Sequence, residues 1–192
     1  MSDRRFPLAA GLAALLIAAP ALAEDGPGPN LVIEVGGATT GTIVIDMLPD
    51  VAPKHVEQIT ALAEEGAYDG VVFHRVIDGF MAQTGDVQFG RIDGELRMAG
   101  MGGSNRADIP AEFSDITFDR GVVGMARAAD PNSANSQFFI MFAPGPFLDG
   151  QYTVVGRVIE GMEVVDSIKK GDQRQNGAVE EPDFMAAVTV AR

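Results

Sequence analysis

Eight short β-rich runs are interrupted by only two helical stretches, and the helices do not alternate regularly with the runs. A parallel sheet needs a helix after nearly every strand, so this order points instead to an antiparallel β-barrel. The runs fall at residues 31–35, 42–48, 71–77, 80–84, 122–127, 137–143, 152–158 and 184–190. The first two are separated by the stretch from Gly36 to Gly41 and read as a hairpin. Within the second, Ile43, Ile45 and Met47 alternate with Thr42, Val44 and Asp46, which leaves one clearly apolar face. One helix is expected from Pro53, with Asp50 just upstream; Val56, Ile59, Thr60 and Ala63 recur at helical spacing until Gly66 stops it. The second, at 162–169, turns Val164, Val165 and Ile168 inward and is expected to stop at Gly171.

The N-terminus carries a separate signal. Arg4 and Arg5 precede an apolar run from Leu8 to Ala19, and Ala21-Leu22-Ala23 has the small-x-small cleavage pattern, so residues 1–23 read as a signal peptide. The run is roughly a dozen residues long and is closed by Pro20, whereas a membrane span needs about 20. The mature chain is expected to begin at Glu24, with residues 24–30 as a flexible leader and 31–192 as one domain. The absence of cysteine excludes a disulfide framework, a thiol nucleophile and thiolate metal sites. A net charge of −13 disfavours nucleic acid and anionic membrane surfaces as partners. Nothing points to an obligate dimer, and a monomer is expected.

The residues that could carry chemistry are few. Arg75, Gln83 and Gln137 are set among Phe80, Met81, Phe139 and Leu148. Such a lining offers hydrogen-bond donors and apolar walls without a strong nucleophile or an acid–base pair, which suits chemistry in which no bond is broken. Each residue also has an ordinary alternative: a strand arginine often snorkels to solvent, and aromatics and methionines most often fill a core. Only two histidines occur. His55 reads as a solvated helix position. His74 adjoins Arg75 in a strand, so the two side chains point to opposite faces, and His74 reads as a hydrogen-bonded structural residue. No Gly-x-Ser-x-Gly elbow is present. Gly100-Met101-Gly102-Gly103-Ser104 lacks the lysine and the strand-to-helix context of a phosphate loop. The surrounding segment, 85–120, is long and irregular, a kind that is usually functional or mobile. The acidic stretch 176–183 reads as a solvated loop without function.

Residues 73–86, Phe-His-Arg-Val-Ile-Asp-Gly-Phe-Met-Ala-Gln-Thr-Gly-Asp, resemble the signature of the cyclophilin family of peptidyl-prolyl cis/trans isomerases. Met125-Ala126-Arg127-Ala128, Asn135-Ser136-Gln137-Phe138-Phe139-Ile140 and Phe147-Leu148-Asp149-Gly150 are similar to its later blocks, in order and at compatible spacing. The likeness continues through 53–65, 68–70 and 155–162. It implies a mainly β fold, a closed eight-stranded antiparallel barrel capped by two α-helices, with a packed interior and a substrate groove on the outer face. It implies Arg75, Gln83 and Phe80 at the catalytic positions, and Phe80, Met81, Phe139 and Leu148 around the proline ring. Ala126, Arg127, Ala128, Gln137, Phe147 and Tyr152 complete the substrate-binding lining.

The implied activity needs neither cofactor nor metal, and the implied partners are proline-containing unfolded or flexible polypeptides. Phe147 stands where the best-known eukaryotic members have Trp, and Tyr152 where they have His. Losing the indole N–H predicts weaker binding of cyclosporin. Both replacements resemble bacterial exported members, which makes the periplasm the expected location, with secretion as the alternative. Two competing readings use the same residues: a chaperone that binds proline segments without useful turnover, and an envelope scaffold bound through 85–120.

Overall fold

The computed structural model describes residues 25–192, so the expected signal peptide lies outside the described residues. Nine strands form one antiparallel sheet: β1 (Asn30–Gly36), β2 (Gly41–Met47), β3 (Val71–Val72), β4 (Arg75–Ile77), β5 (Met81–Thr84), β6 (Val122–Met125), β7 (Phe138–Met141), β8 (Val154–Glu160) and β9 (Phe184–Ala191). Their hydrogen-bonded order is β3-β9-β1-β2-β8-β6-β7-β5-β4. The two end strands follow one another in the chain with only Phe73 and His74 between them, so the backbone itself joins the ends of the curled sheet. This explains nine strands where eight were expected. The run 71–77 breaks at Phe73 because β3 pairs with β9 while β4 pairs with β5.

Alternation places the core. Leu31, Ile33 and Val35 of β1 and Ile43, Ile45 and Met47 of β2 are buried in the main apolar cluster, with Met185 and Val188 of β9. The expected hairpin forms, with Leu31 opposite Ile45 and Ile33 opposite Ile43. The domain begins slightly before Leu31: the Met47 N–H donates to the Pro29 carbonyl at 3.0 Å. In β7 all four residues are buried, yet they divide between two clusters. Phe138 and Ile140 enter the interior, whereas Phe139 and Met141 join a second cluster with Met81, Phe118, Leu148 and Val154. That second cluster underlies the outer face.

Helix α1 (Pro53–Glu64) has proline in its first turn as expected, but its N-cap is Ala52, which makes no side-chain cap. The orphan N–H groups of the first turn are met from a distance. Glu112 accepts from the backbone N–H of Lys54 at 3.1 Å and of His55 at 3.2 Å. His55 is therefore not a solvated position: it is fully buried, with Nδ1 2.7 Å from Glu112 Oε2. Helix α2 (Met162–Ser167) ends earlier than Gly171, because Ile168 turns extended at ψ 132° and buries its side chain.

Candidate active site

Arg75 and Gln83 sit directly opposite each other on β4 and β5. Cross-strand partners on one face are close enough to bond, and the Arg75 Nη1 donates to Gln83 Oε1 at 3.1 Å. Gln83 Nε2 then donates to Gln137 Oε1 at 2.9 Å, and Gln137 Nε2 donates to the carbonyls of Gly100 and Gly102 at 3.0 and 2.7 Å. On its other side Arg75 donates from Nε to the Asn176 carbonyl at 3.0 Å and from Nη2 to Asn176 Oδ1 at 3.1 Å. Three of the five guanidinium N–H groups are thus held by oxygen. Burial pulls the Arg75 pKa down from its ordinary value, but arginine stays charged in proteins.

One groove of about 410 Å³ is lined by Arg75, Phe80, Met81, Gln83, Ala126, Arg127, Phe139, Phe147, Leu148 and Tyr152, together with Gln151. Ten of the twelve residues singled out from the sequence therefore meet in one place. The other two, Ala128 and Gln137, line an adjoining chamber of about 490 Å³ that shares Gln83, Ala126 and Arg127 with the first. The groove's floor is aromatic. Phe139 stacks on Phe118 at 5.8 Å and meets Tyr152 edge-on at 5.8 Å. Phe80, at the turn closed by its N–H to the Ile77 carbonyl, faces the exposed Phe147 at 5.5 Å. The floor can lie this close to β6 because residue 124 is glycine: a Cβ there would fall 2.6 Å from both Phe118 and Phe139. Arg127 lies over the Tyr152 ring at 4.5 Å and donates to the Gln151 carbonyl at 2.9 Å. Its charge braces the wall.

The wall of the second chamber is the long segment after β5, and one carboxylate shapes it. Asp86 is fully buried and accepts from the backbone N–H groups of Gln88 (3.1 Å), Phe89 (2.9 Å), Gly100 (2.7 Å) and Gly102 (2.9 Å). The glycine cluster is thus built around an internal carboxylate. His74 does point away from Arg75 and is buried, but neither ring nitrogen makes a hydrogen bond of normal geometry. Burial pushes its pKa down to about 4, against the opposing pull of the Asp86 carboxylate and the Val72 carbonyl. Among the described residues, no cluster of acidic and histidine side chains could hold a metal ion.

The family model described as cyclophilin type peptidyl-prolyl cis-trans isomerase/CLD matches residues 31–190. The chain belongs to the cyclophilin family. A probable peptidyl-prolyl cis-trans isomerase of Brucella suis is 56% identical to this cyclophilin over 184 residues, covering 95% of the chain and 93% of the relative. A peptidyl-prolyl cis-trans isomerase of Schizosaccharomyces pombe is 40% identical over 130 residues, covering 65% of this chain and 76% of its own. Among solved structures, a cyclophilin from Hirschia baltica superimposes with a TM-score of 0.69 at 27% identity, over 86% of this chain and 74% of that one. A cyclophilin-type isomerase of Cryptosporidium parvum, crystallised in the presence of the dipeptide Ala-Pro, gives 0.71 at 24% identity, over 85% and 99%, and bears on the fold alone.

Asn176, Gln151 and Asp86 were not singled out as site residues by sequence reasoning. Asp86 closes the family-like signature and could have been suspected from that position. Nothing local marks Asn176, whose partner lies 101 residues away in the chain.

Proposed function

We propose that this cyclophilin accelerates rotation about X-Pro peptide bonds of exported polypeptides by non-covalent stabilisation of the twisted amide. The observation that carries the reading is a charged guanidinium held by Gln83 and Asn176 at the edge of an apolar groove. Binding a proline ring alone does not require a partly buried cation. A chaperone without turnover leaves Arg75 unexplained.

Amide rotation faces a barrier of about 18–20 kcal/mol because conjugation must be broken. Ordinary turnover needs an acceleration of about 10³ to 10⁵, or roughly 4–7 kcal/mol. In the twisted state the prolyl nitrogen regains its lone pair. A donor beside it binds that state more tightly than the planar one and so lowers the barrier. Arg75 Nη1 approaches Met81 Sδ at 3.9 Å, and a thioether is a weak acceptor that a better one displaces. A single preorganised donor in a sheltered site is worth about 2.7–4 kcal/mol. Phe80, Met81, Phe139 and Leu148 hold the ring and exclude water, and Gln137 with the Ala126–Ala128 backbone takes the preceding peptide.

Export to the periplasm is part of this reading and rests on Arg4 and Arg5, the apolar run and Ala21-Leu22-Ala23. Cell fractionation with mass determination of the recovered protein tests it: a periplasmic chain starting at Glu24 is expected, and a cytoplasmic chain retaining residues 1–23 overturns it. The activity is tested by cis-to-trans relaxation of a short X-Pro peptide with residues 24–192. Acceleration is expected, and a folded protein without any would leave peptide binding as the better reading.

A further inference from the structure

Strand β4 is an end of the sheet order, and an uncovered strand edge leaves backbone groups without partners. The loop after α2 folds onto it. Gly171 donates its N–H to the Val76 carbonyl at 2.9 Å, the Val76 N–H donates to the Gly177 carbonyl at 2.8 Å, and Arg75 bridges to Ala178. The loop returns through a short 3₁₀ turn, Gln173–Gln175, where the Asp172 side chain accepts from the Arg174 N–H at 2.9 Å. The turn ends on Asn176 in the left-handed conformation, with φ 55°. Gly177 follows at φ 79°, and a Cβ there would lie 2.5 Å from Ile77 Cγ1, so the turn can seat on β4 only with glycine at that point.

This seating brings two oxygens of one residue to one edge of the guanidinium: the Asn176 carbonyl on Nε and Oδ1 on Nη2. Gln83 holds Nη1 from the other side. A planar group bonded on both edges is fixed in its plane, whereas an arginine at an exposed strand edge otherwise samples many rotamers. Asn176 itself is exposed and lines neither chamber of the groove.

We infer that Asn176 is a positioning residue that acts through Arg75, setting the orientation in which the guanidinium meets the prolyl nitrogen. The inference rests on the isomerase reading of the groove. The left-handed backbone explains the residue type: asparagine enters that region more readily than most side chains, and a short amide places its oxygen beside its own carbonyl. The loop to which the sequence assigned no function thus supplies two of the three oxygens that hold the guanidinium.

The test compares wild type, Asn176→Gly, Asn176→Asp, Arg75→Ala and the double variant Asn176→Gly/Arg75→Ala in X-Pro relaxation. Glycine keeps the left-handed turn and removes only the side-chain acceptor. Its kcat is expected to fall about tenfold to a hundredfold, as misplacement of a reacting group does, with KM within about twofold. Asn176→Asp keeps an acceptor and is expected to retain most of the wild-type kcat. In the Arg75→Ala background, Asn176→Gly is expected to cause no further loss. Wild-type kcat in Asn176→Gly, or an equal loss without Arg75, overturns the inference. A second readout is independent of turnover: NMR of the Arg75 guanidinium is expected to show hindered rotation in wild type and freer rotation in Asn176→Gly. Equal rotation in both sinks the inference even if the protein proves inactive, whereas a difference between them with no wild-type catalysis sinks only the isomerase reading.

Discussion

Phe138 and Phe139 are neighbours in β7 and serve opposite sides of the sheet: Phe138 meets Tyr68 edge-on at 5.7 Å inside the barrel, and Phe139 stacks on Phe118 at 5.8 Å outside it. Both are buried, so both alanine variants are expected to lose about 3–5 kcal/mol of stability. They should differ in function. Phe139→Ala is expected to raise KM for a proline peptide, whereas Phe138→Ala, assayed below its melting temperature, should keep it. Urea unfolding paired with kinetics separates the two, and identical KM values would remove Phe139 from the binding surface.

Arg75→Ala is expected to lower kcat/KM by about two decades or more with an unchanged melting temperature. Arg75→Lys should not restore it, because an ammonium cannot bond Asn176, Gln83 and substrate in one plane. Near-normal turnover in either variant would mean that the arginine is not the transition-state donor.

Asp86→Ala leaves four backbone N–H groups without their acceptor. Hydrogen bonds to a charged group are individually strong, and the loss is expected to cost about 3 kcal/mol or more. Hydrogen exchange should accelerate at Gly100 and Gly102 well before the barrel strands respond. Protection that stays uniform would show that the segment is held by its other contacts.

Acid should destabilise the fold in a defined window. Burial holds the His74 pKa at about 4, below its unfolded value of 6.5, so the unfolded chain binds the proton first as pH falls. The stability is fully present above about pH 6.5 and is lost down to about pH 4, by about 3 kcal/mol. Burial lowers the His55 pKa as well, outweighing the bond from Glu112, and adds a loss of the same sign. Denaturant titrations at pH 7, 5.5 and 4 measure the slope, and His74→Gln should flatten it. A ring resonance of His74 that titrates near 6.5 would contradict this.

Phe147 is 63% exposed and stands against Phe80 at the rim of the groove. Phe147→Trp adds an N–H donor where the chain has none. It is expected to strengthen cyclosporin binding, read by calorimetry; unchanged affinity would count against the missing-donor account.

Much of the site was legible because it is written in local geometry. Side chains two residues apart in a strand share a face, which places Arg75 with Ile77 and Met81 with Gln83, and turns His74 away. The likeness to cyclophilin blocks then brought β4–β5, the start of β7 and the Phe147–Tyr152 turn into one groove, as observed. Reading His55 as solvated failed because its partner, Glu112, is 57 residues away and no periodicity announces it. The glycines at 100, 102 and 103 could be set aside as a phosphate loop, but the buried Asp86 carboxylate around which the first two are arranged could not be read from their spacing.

The sequence by itself determined roughly where the strands and helices lie and which side chains share each strand face, because these depend on covalent geometry over two to four residues. The break of the run 71–77 and the early end of α2 were set by long-range pairing and burial. The tertiary structure alone decided that Glu112 caps α1, that the chain between β3 and β4 joins the ends of the sheet, and that Asn176 lands on Arg75. Those contacts depend on where distant loops arrive once the sheet has curled, and a pleated strand carries no record of what will cover its edge.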